Sequence, residues 1–189
     1  VLELNKLRLK HFRIENVLLK SGDSIPIEDI KGSSLEIKAL FEWDTSEEFG
    51  INVCCSQDGE EKTQIRFNTN PWVANRNTDD VKPCDLCHVT HSSRKELILD
   101  VTRSSIGSEV SNRESQRCIL DQHSGTLLEL TIFVDRSVIE VFANDRHYLS
   151  KRIYPVLNDS VGVELFSKGG IARLVSMDAW EMSSIWPTN

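Results

Sequence analysis

Three features of the sequence predict an all-β chain folded as an antiparallel two-sheet β-sandwich. Apolar and polar residues alternate with a period of two along most of its 189 residues, turn residues punctuate the alternation at short intervals, and no persuasive amphipathic helix interrupts it. With 39% hydrophobic residues the chain is long enough for one sizeable core, so a single domain is expected.

The elements follow in chain order. The N-terminal "LNKLRLKHF" reads as a helical turn or as a linker, with residues 1–10 set apart from a sandwich of residues 11–189 whose first strand lies in "RIENVLL". In "LEIKALFEW", Leu35, Ile37, Ala39, Phe41 and Trp43 alternate with Glu36, Lys38 and Glu42, the pattern of a strand with one face buried and one wet. Phe49, Ile51, Val53 and Cys55 repeat it, Asp58-Gly59 supplies a hairpin turn, and Thr63, Ile65 and Phe67 lie on the returning strand. Over residues 68–94 the period is lost while Asn, Asp, Pro and Ser accumulate, marking a long loop or insertion. A strand over 96–102 turns Leu97, Leu99 and Val101 inward. Strands over 127–134, 138–143 and 147–153 come in quick succession, joined by polar turns at "DRS" and "NDR". The strand "VGVELF", a Gly169-Gly170 turn and "ARLVSMDAWEM" complete the sheet set.

Charge and hydropathy narrow the partners. A net charge of −7 without a dense Lys/Arg cluster gives no electrostatic footprint for nucleic acid. No apolar run approaches the ~18 residues a membrane-crossing helix needs, and "VLELNKLRLKHF" is too charged for a signal peptide, so a soluble chain is expected. Five cysteines, an odd number, and one acceptor tripeptide, Asn158-Asp159-Ser160, leave secreted, vacuolar and cytoplasmic locations all open.

"TIFVDRSVIEVFAND" sets three carboxylates, Asp135, Glu140 and Asp145, among apolar residues. Sugar-cleaving enzymes need two carboxyl groups facing each other across the scissile bond, one with a raised pKa. Five residues of extended chain between Asp135 and Glu140 would span roughly 16 Å at about 3.3 Å each, too far for an acid–base pair. Glu140 shares a strand face with Val138 and Phe142, so a partly buried carboxylate paired with Arg136 or Arg152 is expected instead.

"LTIFVDRSVIEVFAND", followed by "RIYP" and "GVELFSKGGIARLVSMDAWEMSSIW", resembles the C-terminal module of glycoside hydrolase family 32, the invertases, inulinases, levanases and related fructosyltransferases. "HFRIENVLL", "LEIKALFEW", "FGINVCCSQDGEEKTQIRF" and "LILDVTRSSIGSEV" resemble the same module in the same order, so the likeness covers nearly the whole chain except residues 68–94. Its most specific part is Asp135-Arg136-Ser137 with Glu140-Val141-Phe142. The resemblance implies a two-sheet sandwich accompanying a separate N-terminal five-bladed propeller, which it stabilises, with homodimers in some members. It also implies a parent enzyme acting on sucrose or fructans. The family's catalytic carboxylates sit in propeller motifs of the Asn-Asp-Pro-Asn-Gly, Arg-Asp-Pro and Glu-Cys type, and none of these occurs in the chain. No catalytic residue is therefore carried over, and Val1 is expected to mark a cut between modules.

Four tryptophans are candidates for stacking on sugar rings. Trp43 and Trp180 continue apolar strand faces and are expected in the core, which leaves Trp72 and Trp186 as the carbohydrate-binding candidates, in a lectin-like alternative to the family reading. "PCDLCHVTH" is foreign to the resemblance. Cys84, Cys87, His88 and His91 have the Cys-x-x-Cys chelate spacing of zinc sites, although four ligands within eight residues strain to surround one ion. Thiols, a local disulfide and zinc all remain open there; haem lacks a cradle in a sandwich, and no other cofactor is expected.

Overall fold

The computed structural model describes residues 3–69, 95–120 and 125–185. Among the described residues, twelve strands form two six-stranded sheets. The first sheet runs β1 (Arg8–Leu19), β12 (Ala172–Met182), β3 (Ser34–Trp43), β8 (Leu127–Asp135), β9 (Val138–Ala143), β10 (His147–Arg152). The second runs β2 (Ser24–Lys31), β11 (Gly162–Lys168), β4 (Glu48–Cys55), β5 (Thr63–Asn68), β6 (Lys95–Asp100), β7 (Gln116–Leu120). Neighbouring strands pair antiparallel throughout.

The expected sandwich is present, and its core sits between the sheets where the alternation puts it. Ile37 and Phe41 of β3, Ile132 of β8, Ile51 of β4 and Leu97 of β6 are all fully buried. Phe41, Trp43, Phe49 and Phe67 meet across the two sheets with ring centroids 5.0–5.8 Å apart, and burying each such ring contributes roughly 1.5–3 kcal/mol. Gly50 is required by close approach: a Cβ there would lie 2.0 Å from the Ile65 carbonyl oxygen on the paired strand.

Several expectations change. The first strand begins at Arg8 rather than within "RIENVLL"; Leu4–Leu7 forms a single 3-10 turn, and Arg8 already pairs with Met182. Strands β2 and β7 were not foreseen. They are the two edges of the second sheet, where Pro26 and a broken alternation weaken the pattern, as edge strands permit. Cys54 rather than Cys55 turns inward, because Cys54 adopts φ 51° at a bulge opposite Gly162 and Val163. Trp180 lies on the outer face of the first sheet and not in the core. Strand β5 ends at Asn68; Trp72, Cys84, Cys87, His88, His91 and Trp186 lie outside the described residues.

Candidate functional site: a groove on the outer face of the first sheet

Register alone arranges the outer face of the first sheet. One row across the strands reads His11, Trp180, Glu36, Phe133, Glu140, Ser150, and the next reads Arg13, Asp178, Lys38, Thr131, Phe142, Tyr148. A groove of about 1140 Å³ runs over this face, bounded by residues 4–9 at one margin and by the β8–β9 turn at another.

At the N-terminal margin a chain of charge and ring contacts fixes the first strand. Arg8 donates to both carboxylate oxygens of Glu36, Nε to Oε2 at 2.8 Å and Nη2 to Oε1 at 2.6 Å. Its guanidinium lies 3.8 Å from the centroid of Trp180, and the His11 ring stacks on the same indole at 4.9 Å. His11 Nε2 is 2.7 Å from Asp178, which also receives Arg13. Glu36 is only 3% exposed although it points outward, so Arg8 compensates a desolvated charge. The bond from Arg8 to Glu36 holds the guanidinium pKa above its ordinary value, outweighing the opposing effect of burial.

At the other margin lies the hairpin that carries the sequence motif. Arg136 and Ser137 make the tight β8–β9 turn, with Asp135 paired directly to Val138. Arg136 has φ 50°, and its backbone N–H donates to Ser33 O at 2.6 Å, tying the turn to the loop before β3. Because the chain folds back here, Asp135 and Glu140 are diagonal neighbours on one face. Their separation is about 7–8 Å by strand geometry, not the 16 Å of an extended segment, which assumed no turn between them. The expected Glu140 cation is also absent among the described residues. Tyr148 donates its hydroxyl to Glu140 Oε1 at 2.7 Å, while Arg152 reaches Ser137 Oγ at 3.3 Å. Phe142 bridges two ring neighbours, Tyr148 at 4.9 Å and Phe133 at 6.2 Å.

The groove thus unites Asp135, Arg136 and Glu140 with Arg8, Glu36, Phe133 and Phe142; Tyr148 meets it through Glu140. Sequence reasoning missed Arg8, Glu36, Trp180 and Tyr148 as members of the site. The only signal for Glu36 is a lone acid between Leu35 and Ile37, which says nothing of a partner 28 residues away. Among the described residues no cluster of three or more His, Cys, Asp or Glu side chains is arranged to hold a metal ion, and no helix is long and apolar enough to cross a membrane.

The profile described as "Glycosyl hydrolases family 32 C terminal" matches residues 3–181. The chain is 25% identical to Beta-fructofuranosidase 1 of Zea mays, covering 98% of this chain and 30% of that protein. It is 28% identical to Acid beta-fructofuranosidase 2, vacuolar, of a Rosa hybrid cultivar, covering 96% and 30%. The chain therefore spans less than a third of the length of these curated relatives. Fructan 1-exohydrolase IIa from Cichorium intybus superposes on 97% of the chain, which covers 37% of that structure, at a TM-score of 0.78 and 19% identity, a likeness of fold. With the match running through every described strand from β1 nearly to the end of β12, the chain belongs to glycosyl hydrolase family 32, as its C-terminal domain.

Proposed function

We propose that the chain is the noncatalytic C-terminal sandwich of a β-fructofuranosidase-type enzyme, holding and stabilising an N-terminal five-bladed propeller that cleaves sucrose or fructans. The observation that carries this reading is the extent of the family match: residues 3–181 are accounted for by the C-terminal module, while the relatives are about three times as long. Three of the carboxylates are held in structural contacts. Glu36 is bound to Arg8, Glu140 to Tyr148, and Glu61 is buried beneath backbone donors.

The test is fructose release from sucrose and inulin by the chain alone, at high protein concentration and free of contaminating invertase. No release is expected. Release abolished by Glu140→Gln would overturn the proposal and place the chemistry on the β9 carboxylate. Retention of the chain on an inulin matrix without hydrolysis would favour the lectin-like alternative.

A further inference from the structure

The supporting role proposed above makes no use of the one Asn-x-Ser tripeptide in the sequence, Asn158-Asp159-Ser160. It lies in the loop between β10 and β11, which the fold holds in a defined shape. Leu157 O accepts from the Ser160 N–H at 3.1 Å, closing a β-turn with Asn158 and Asp159 at its two central positions. Asp159 is tied down twice: its carboxylate accepts from the Gln57 N–H at 2.9 Å and its carbonyl from the Val161 N–H at 2.8 Å. Ser160 is buried, and its hydroxyl donates to Glu61 Oε2 at 2.6 Å. Asn158 differs from both. Its side chain is exposed and makes no hydrogen bond among the described residues.

The turn stands beside an apolar patch. Ile106 and Val156 both donate their backbone N–H to Glu61, at 2.9 and 3.0 Å, which sets the two loops side by side. A Cβ added at Gly107 would lie 3.3 Å from Val156 Cγ1. Ile106 is 49% exposed, Tyr154 47% and Val156 55%. Exposure alternates from Ile153 to Asn158, so Tyr154, Val156 and Asn158 are the outward residues of one stretch. A glycan is bulky and solubilising, and the apolar face of a sugar ring packs on an aromatic or aliphatic side chain. A chain of sugars rooted at Asn158 therefore has this patch within reach.

We propose that Asn158 is an N-glycosylation site, filled while the chain is still unfolded, and that its glycan covers the patch of Ile106, Tyr154 and Val156. The donor is an oligosaccharide carried on a lipid diphosphate. Asn158 Nδ2 forms a bond to the anomeric carbon of the first sugar, and the bond from that carbon to the donor's phosphate oxygen breaks. The diphosphate leaves on its lipid, and the amide gives up one proton to a base of the transferase. That enzyme reads the serine hydroxyl two residues after the acceptor. In the folded chain the hydroxyl is committed to Glu61 beneath the turn. Folding and transfer thus compete for Ser160: once the loops close on Glu61 the acceptor is lost, although Asn158 itself stays exposed.

The experiment translates the chain behind a cleavable secretion leader in the presence of microsomes and scores only the translocated, protease-protected fraction. Peptide N-glycosidase in heavy-oxygen water then marks the acceptor by mass. Part of the translocated chain is expected to carry a glycan at Asn158, and Asn158→Gln to abolish it. Glu61→Gln, which loosens the loops without touching the tripeptide, is expected to raise the modified fraction at least two-fold. Purified folded chain given transferase and donor should stay unmodified, while the peptide of residues 153–163 is modified. In hydroxyl-radical footprinting, Ile106, Tyr154 and Val156 should oxidise at least two-fold more slowly in the glycosylated chain than after the glycan is trimmed, whereas Leu9 and Tyr148 keep their rates. Translocated chain without sugar on Asn158 would overturn the site. Equal occupancy in Glu61→Gln, or modification of the folded chain, would overturn the competition with folding, and equal oxidation rates would overturn the covering of the patch.

Discussion

Glu61 offers the sharpest test of how the sandwich is held together. It lies at the end of the β4–β5 hairpin loop, fully buried. Its carboxylate accepts from the backbone N–H of Ile106 at 2.9 Å, of Val156 at 3.0 and 3.1 Å and of Leu157 at 3.1 Å, and from Ser160 Oγ at 2.6 Å. One side chain thus pins the loops following β6 and β10 to the second sheet, with no cation beside it among the described residues. Glu61→Gln keeps the volume but turns an amide NH₂ towards N–H donors, stranding about two of the four. At roughly 1.5–3 kcal/mol for each charge-assisted bond lost, the cost is about 3–6 kcal/mol at pH 7. For a chain of this size that lowers the melting midpoint by about 6–24 °C. Burial alone would raise the Glu61 pKa; the bonds from Ser160, Val156, Ile106 and Leu157 outweigh it and hold it below the ordinary 4.5. A carboxylate depressed on folding contributes stability that is complete above its unfolded pKa and fades as pH falls through the folded one. The gap between the native chain and Glu61→Gln should therefore be full at pH 7 and shrink below about pH 4.5. Urea unfolding at pH 7 and pH 3.5, read by tryptophan fluorescence, measures it. A cost under about 1 kcal/mol at pH 7, or a gap that does not change with pH, would refute the reasoning.

Two further outcomes follow from groups the fold has buried. Arg8→Ala should cost up to about 3–5 kcal/mol in urea unfolding, because it leaves the desolvated Glu36 carboxylate with only the more distant Lys38, at 4.0 Å, as a cation; Arg8→Ala with Glu36→Ala together should cost less than Arg8→Ala by itself, and a double-mutant cycle reads the coupling. Burial pushes the Cys54 and Cys55 thiols up to about 12, with Glu61 and Glu164 respectively adding repulsion. Both should resist iodoacetamide at pH 8 in the native chain and react once it is unfolded, as mass spectrometry of the labelled peptides would show.

Which strand faces are dry is legible from the order of residues alone. Side chains in an extended chain alternate with a period of two, so Leu35, Ile37, Ala39 and Phe41 could be assigned to a core without knowing their partners. The hairpin signals at Asp58-Gly59 and Asp135-Arg136-Ser137 were legible for the same local reason: a turn is specified by the few residues that make it. The family motif was legible too, although its geometry was misjudged. An extended-chain estimate placed Asp135 and Glu140 far apart because it ignored the turn that brings them side by side. What stands next to what on the outer face depends on strand order and register. Arg8 finds Glu36 across 28 residues and His11 finds Asp178 across 167, through the order and register of β1, β12 and β3. Polar outward positions carry no periodic signal that distinguishes one partner from another. Trp180 looked like core from its spacing and became a platform for Arg8 and His11, because a β-strand has two faces and only the sheet's neighbours settle which of them is covered.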